Sequence, residues 1–266
     1  MASATLNMSR FVNLEFSGES EDHQGEQKPL AKDEAYYFAE ARTAFENGAF
    51  ESGLRLYSKV LEFNPSNAAA WTGQVRMLIE LGECREAKLW ADKALERFPQ
   101  EPELLAAKAV ALARSGDLQG ALAFSDASIE ERGETPYIWL ARGDVLLARA
   151  ESRADYCFEK ALLLAPQDWF IAWLAARIRF YYDQFAVALK LVQRAVELNA
   201  GHFLVWLQLG QCQQALGLFG AARTSFTQAR QLNPQCDAAQ TALTEMSRSG
   251  LASRVRGFWR RLAIGR

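Results

Sequence analysis

The chain has 266 residues, half of them apolar, and a formal net charge of −2. Length and apolar fraction suffice for a packed interior, and glycine and proline are too sparse for a collagen-like or disordered polymer. The near-neutral balance argues against a general nucleic-acid binder, which needs a strongly basic surface.

Residues 1–33 carry no internal period. MASATLNMSRF lacks the apolar core of a secretory leader. Val12, Leu14 and Phe16 fall on alternate positions, and 17–29 (SGESEDHQGEQKP) reads as a polar, solvated linker. The whole is a flexible segment with a short apolar motif, either packed on the first helices or free to add as a strand to another protein.

From residue 34 the sequence repeats itself. Pro65, Pro99, Gly133, Pro166, Ala200 and Pro234 succeed one another at intervals of 34, 34, 33, 34 and 34. Small residues keep the same beat at Gly53, Ala87, Ala121, Ala154, Ala188 and Ala222, and again at Val60, Ala94, Ser128, Ala161, Ala195 and Ala229. A bulky residue leads each unit: Tyr37, Trp71, Leu105, Trp139, Trp173 and Trp206. Gly48, Gly82, Gly116 and Gly217 lie between the leading residue and the small one, with Ala150 and Asp183 in units four and five, each of which reads as one residue shorter. Small residues let two antiparallel helices approach, the glycine ends the first helix in a left-handed conformation, and the proline punctuates the units. Each unit is therefore predicted to be helix–turn–helix, with its apolar face buried by stacking on the next.

This pattern resembles the tetratricopeptide-repeat family, most fully in Trp206, Leu209, Gly210, Ala222, Phe226, Ala229 and Pro234. The resemblance covers about residues 34–236. It implies an all-α fold, a right-handed α-solenoid of six tandem repeats. Residues 237–249 then read as a C-terminal capping helix, broken by Gly250.

Residues 250–266 form a basic amphipathic tail. Leu251, Val255, Phe258 and Leu262 share one helical face with Trp259 beside it, and Arg254, Arg256, Arg260 and Arg261 take the other. Three readings compete: a second cap on the solenoid, insertion into a partner's groove, or attachment to an anionic membrane surface through Arg254, Val255, Phe258, Trp259, Arg260, Arg261 and Leu262. No uncharged apolar run is long enough to span a bilayer, and the expected location is the cytoplasm, with a peripheral membrane position as the alternative.

Chemistry-bearing groups are few. The two histidines, His23 and His202, and the four dispersed cysteines, Cys84, Cys157, Cys212 and Cys236, form no metal spacing or catalytic triad. The cysteines read as small apolar residues in a reducing compartment. No phosphate loop, HExxH or GxSxG is present. The expectation is a non-enzyme without cofactor or metal.

The family resemblance implies that the first helix of each repeat lines a concave, partner-binding groove. Counting from the leading residues places Phe38, Arg42, Arg76, Leu140, Leu147, Leu174, Ile178, Tyr181, Leu207 and Gln211 on it. Leu140, Leu147, Leu174, Ile178 and Leu207 would then form a connected apolar strip. Arg42 alone does not make the Lys/Asn carboxylate clamp of cochaperone repeats. The expected function is a scaffold or adaptor holding a protein or peptide partner. A membrane organiser anchored by its tail and a specialised chaperone are the alternatives.

Overall fold

The computed structural model describes residues 32–131 and 134–248. Six helices come first: α1 (Glu34–Glu46), α2 (Phe50–Phe63), α3 (Ala68–Glu80), α4 (Cys84–Arg97), α5 (Pro102–Arg114) and α6 (Leu118–Glu130). Six more follow: α7 (Pro136–Ala148), α8 (Ala154–Leu164), α9 (Trp169–Tyr181), α10 (Phe185–Leu198), α11 (Phe203–Ala215) and α12 (Phe219–Leu232). A thirteenth, α13, spans 237–248, and the described residues contain no strand. The fold is an all-α solenoid of helix–turn–helix repeats. The chain divides into two compact units between Ser152 and Arg153, so α1–α7 belong to the first and α8–α13 to the second. The N-terminal apolar motif and the basic tail from Arg254 to Leu262 lie outside the described residues.

Capping residues explain where the first helices begin. The side chains of Asp33, Asn67, Thr135, Asp168 and His202 each accept a hydrogen bond from a backbone N–H in the turn that follows. Each satisfies a donor that has no partner within the helix. Between the two helices of a pair, one residue takes a left-handed conformation. Gly48, Gly82, Gly116 and Gly217 do so with φ from 68 to 92°, and Ala150 and Asp183 do so at 57°. An alanine there costs about 1–2 kcal/mol, and aspartate tolerates the region better.

The caps also correct the register of repeat five. Tyr37, Trp71, Leu105, Trp139 and Trp206 stand four residues after the cap residues Asp33, Asn67, Glu101, Thr135 and His202. Four residues after Asp168 stands Ala172, not Trp173. Trp71 Nε1 donates to Pro65 O at 2.9 Å and Trp206 Nε1 to Ala200 O at 2.7 Å, each six residues back from a leading slot. The shortening therefore occurs once, in repeat four. Ala154 follows Ala150 after four residues, where the other repeats need five, and α8 is cut to 11 residues.

Within repeat six the helices approach so closely that a Cβ on Gly210 would sit 2.6 Å from the ring of the fully buried Phe226. Gly210→Val is expected to cost about 1–3 kcal/mol through overpacking, read as a lower urea midpoint. An unchanged midpoint would show that Phe226 can move aside. Beyond it, α13 closes the second unit: Met246, with Ala242 and Leu243, packs on Phe226, while Ala239 packs against Ala229 and Cys236.

Candidate protein-binding face

First helices of neighbouring repeats pack side by side, α3 on α5 and α5 on α7 in the first unit, α9 beside α11 in the second. The slots one, five and eight residues beyond each leading position define the face these helices share.

In repeat one this face is open. An open cleft of about 550 Å³ is lined by Asp33, Glu34, Ala35, Phe38, Arg42 and Asn67, among others. Phe38 meets Tyr57 edge to face with ring centroids 5.9 Å apart. Arg42 is exposed, 3.9 Å from Glu46. The Glu34 carboxylate accepts from the amides of Asn64 and Asn67, at 3.0 and 2.7 Å, and Asp33 caps α1, so Arg42 is the cationic side chain among the residues named. Burial raises the pKa of the Tyr57 hydroxyl, with Arg76 and Arg42 opposing the shift.

Further along the first unit the face is filled by the chain's own side chains. The Arg76 guanidinium lies 4.8 Å from the Phe45 ring and 3.7 Å from the ring of Tyr137, two repeats away. It can reach because α5 presents only Ala106, Val110 and Ala113 at the intervening slots, all buried. Burial raises the Tyr137 pKa well above the ordinary phenol range, Arg76 alone pulling the other way against Glu103, Asp144 and Glu80. Next to this stack, the Arg114 Nη2 donates to Asp144 Oδ2 at 2.6 Å, with side chains 9% and 1% exposed. The same pair flanks Cys84, whose thiol pKa is raised chiefly by burial. Leu140 is buried at 1% and Leu147 is half-buried, so Leu140 belongs to the core rather than to an open strip.

In the second unit the corrected register reassigns the face. Leu174 and Ile178, which the sequence count places on the groove, are buried. They occupy the slots that elsewhere hold Met77, Ala107, Ala111 and Val145, all fully buried. One residue is about 100° of helix, enough to turn them from the shared face into the core. A charge at Ile178 would therefore test the fold, not binding. The residues that take the slots are Trp173, Arg177 and Phe180, with the Arg177 guanidinium 5.0 Å from the Trp173 ring. Trp173 in turn stacks on Phe170 at 5.3 Å. The sequence holds the signal for this assignment: Asp168 is an N-cap residue, and counting from it places Ala172 in the leading slot. Tyr181 is exposed, at the end of α9 rather than on the face. Leu207 is half-buried against the clusters around Phe226 and Cys236, and Gln211 is half-buried beside it.

Other reactive groups are structural. His202 is stacked on Trp169 at 4.4 Å, caps α11 through Nδ1, and has its pKa lowered by burial. Cys157, Cys212 and Cys236 are buried thiols in no disulfide, and burial pushes the Cys212 thiol up to about 11. Among the described residues no three His, Cys, Asp or Glu side chains gather as a metal site. No helix among them is long and apolar enough to cross a membrane.

Two family models, each described as Tetratricopeptide repeat, match residues 5–156 and 174–237. No curated protein sequence matches the chain significantly. Among solved structures, a tetratricopeptide repeat protein from Parabacteroides merdae ATCC 43184 is similar at 16% identity and TM-score 0.53, over 82% of this chain and 86% of that one. YrrB, described as a TPR protein with an unusual peptide-binding site, is 17% identical at TM-score 0.42, covering 70% and 96% of the two chains. The APC/C hetero-tetramer Cut9–Hcn1 is 17% identical at TM-score 0.47 over 82% of this chain and 50% of that one.

Proposed function

The chain belongs to the tetratricopeptide-repeat family, and from that premise we propose that it is a non-enzymatic protein-binding scaffold whose first-helix face holds a segment of a partner protein. One observation carries the reading. The slot five residues beyond the leading position holds arginine in repeats one, two and five: Arg42, Arg76 and Arg177. Arg76 and Arg177 lie against aromatic rings. An exposed guanidinium pairs with a carboxylate in the geometry in which arginine binds most strongly. Arg42 stands with Phe38 in an open cleft, so the partner segment engaging repeat one offers an apolar side chain next to a carboxylate.

The test is the double variant Phe38→Ala/Arg42→Glu, used as affinity bait in the native host beside the wild type, with captured proteins quantified by mass spectrometry. Loss of the principal partner by at least about tenfold, near 1.4 kcal/mol, is expected. Because an exposed pair such as Arg42–Glu46 contributes little to stability, circular dichroism should report a folded protein. A folded variant that keeps every partner at wild-type level would overturn the proposal.

A further inference from the structure

A second surface lies away from that face, on the edge where each first helix turns into its second. In repeats one to three this edge is built of short polar turns: Asn47-Gly48-Ala49, Gly82-Glu83 and Gly116-Asp117. In repeats five and six it is apolar. Tyr181 and Val187 are exposed at the first turn, and Leu216, Leu218 and Phe219 at the next, with Phe219 at 60%. Because α9 and α11 pack side by side and run the same way, both turns lie on one edge of the second unit. Five large apolar side chains left in water on two adjacent turns mark an interaction surface.

Charge indicates the kind of partner. Residues 198–236 contain no acidic residue at all. In the second turns of α10 and α12, Lys190 and Arg223 are exposed and form no ion pair among the described residues. Asp183 is the one acid within 181–190 and 215–224, confined to the left-handed turn position. Its carboxylate would have to enter the headgroup layer of an anionic bilayer, which disfavours a lipid surface for this edge.

Spacing indicates the partner's form. Side-by-side helices are about 8–10 Å apart, so the two apolar turns repeat at that distance. Residues i and i+7 of an α-helix are about 10.5 Å apart on one face. We propose that the turn edge of repeats five and six docks an acidic amphipathic helix of a partner protein, its apolar residues at i and i+7 on the two turns and its carboxylates toward Lys190 and Arg223.

The experiment is selection of a displayed library of helical 15-residue peptides against the full chain. Enriched peptides are then measured by fluorescence anisotropy against the wild type, Leu218→Glu/Phe219→Glu and Lys190→Glu/Arg223→Glu. The proposal expects enriched sequences with an excess of Asp and Glu and apolar residues seven apart. It also expects affinity to fall at least about tenfold in both double variants, with unchanged circular dichroism, while Phe38→Ala/Arg42→Glu binds normally. That last arm separates this surface from the first-helix face, so either can fail without the other. Enrichment of basic peptides, or wild-type affinity in either edge variant, would overturn it. So would binding of the wild type to phosphatidylserine vesicles, or self-association in light scattering, if either is lost in the Leu218/Phe219 variant.

Discussion

Trp71→Ala is expected to destabilise the first unit by about 3–5 kcal/mol, the usual cost of truncating a buried tryptophan. Trp71 is 2% exposed and lies against Trp90 with ring centroids 5.8 Å apart. Its indole also donates to the Pro65 carbonyl at the junction between repeats one and two. Truncation therefore opens a cavity at an interface between repeats and leaves Arg97 as the remaining donor to the Pro65 carbonyl. Chemical denaturation followed by circular dichroism should show the loss as a lower midpoint. Trp71→Phe should recover most of the packing while forgoing the hydrogen bond, about 1 kcal/mol. A wild-type midpoint for Trp71→Ala would mean that Trp71 does not seal this junction.

Removing one member of the buried Arg114–Asp144 pair should cost as much. Asp144→Ala leaves a guanidinium in a site where its own side chain is 9% exposed, and loss of one partner of such a pair typically costs about 3–5 kcal/mol. Replacing both, as Arg114→Met/Asp144→Leu, removes the desolvated charges together and should restore near-native stability. The pair joins α5 to α7, first helices of neighbouring repeats, so its value is in fixing how those helices align. Thermal melts of the two single variants and the double variant form a closed cycle. A double variant as unstable as the sum of the singles would show that the pair is not coupled.

The repeat architecture was legible because it rests on local rules that hold at every unit: a small residue where helices touch, a left-handed turn, a bulky leader. Even Ala150 and Asp183 were identifiable as turn residues by position alone, and both have the positive φ of the glycines they replace. The face was less legible, for two physical reasons. Trp173 has the residue type of a leader but stands one place past the leading slot, which the cap at Asp168 sets. That single residue moved Leu174 and Ile178 onto the wrong side of α9. The other reason is reach. Nothing in a periodic count says that Arg76 extends across an alanine-lined helix to Tyr137, because the contact depends on what α5 lacks.

The division between Ser152 and Arg153 separates the two helices of repeat four. Stability in stacked arrays is about the sum of each element's own contribution and its coupling to neighbours. Within the first unit α7 packs on α5 and α6, and within the second α8 is tied to α9 by the Asp155 carboxylate, which accepts from the buried Arg179. The boundary between the compact units is thus out of phase with the boundary between the repeats. A cut after Pro166, where the sequence punctuates itself, would part α8 from α9 and sever the bond between Asp155 and Arg179.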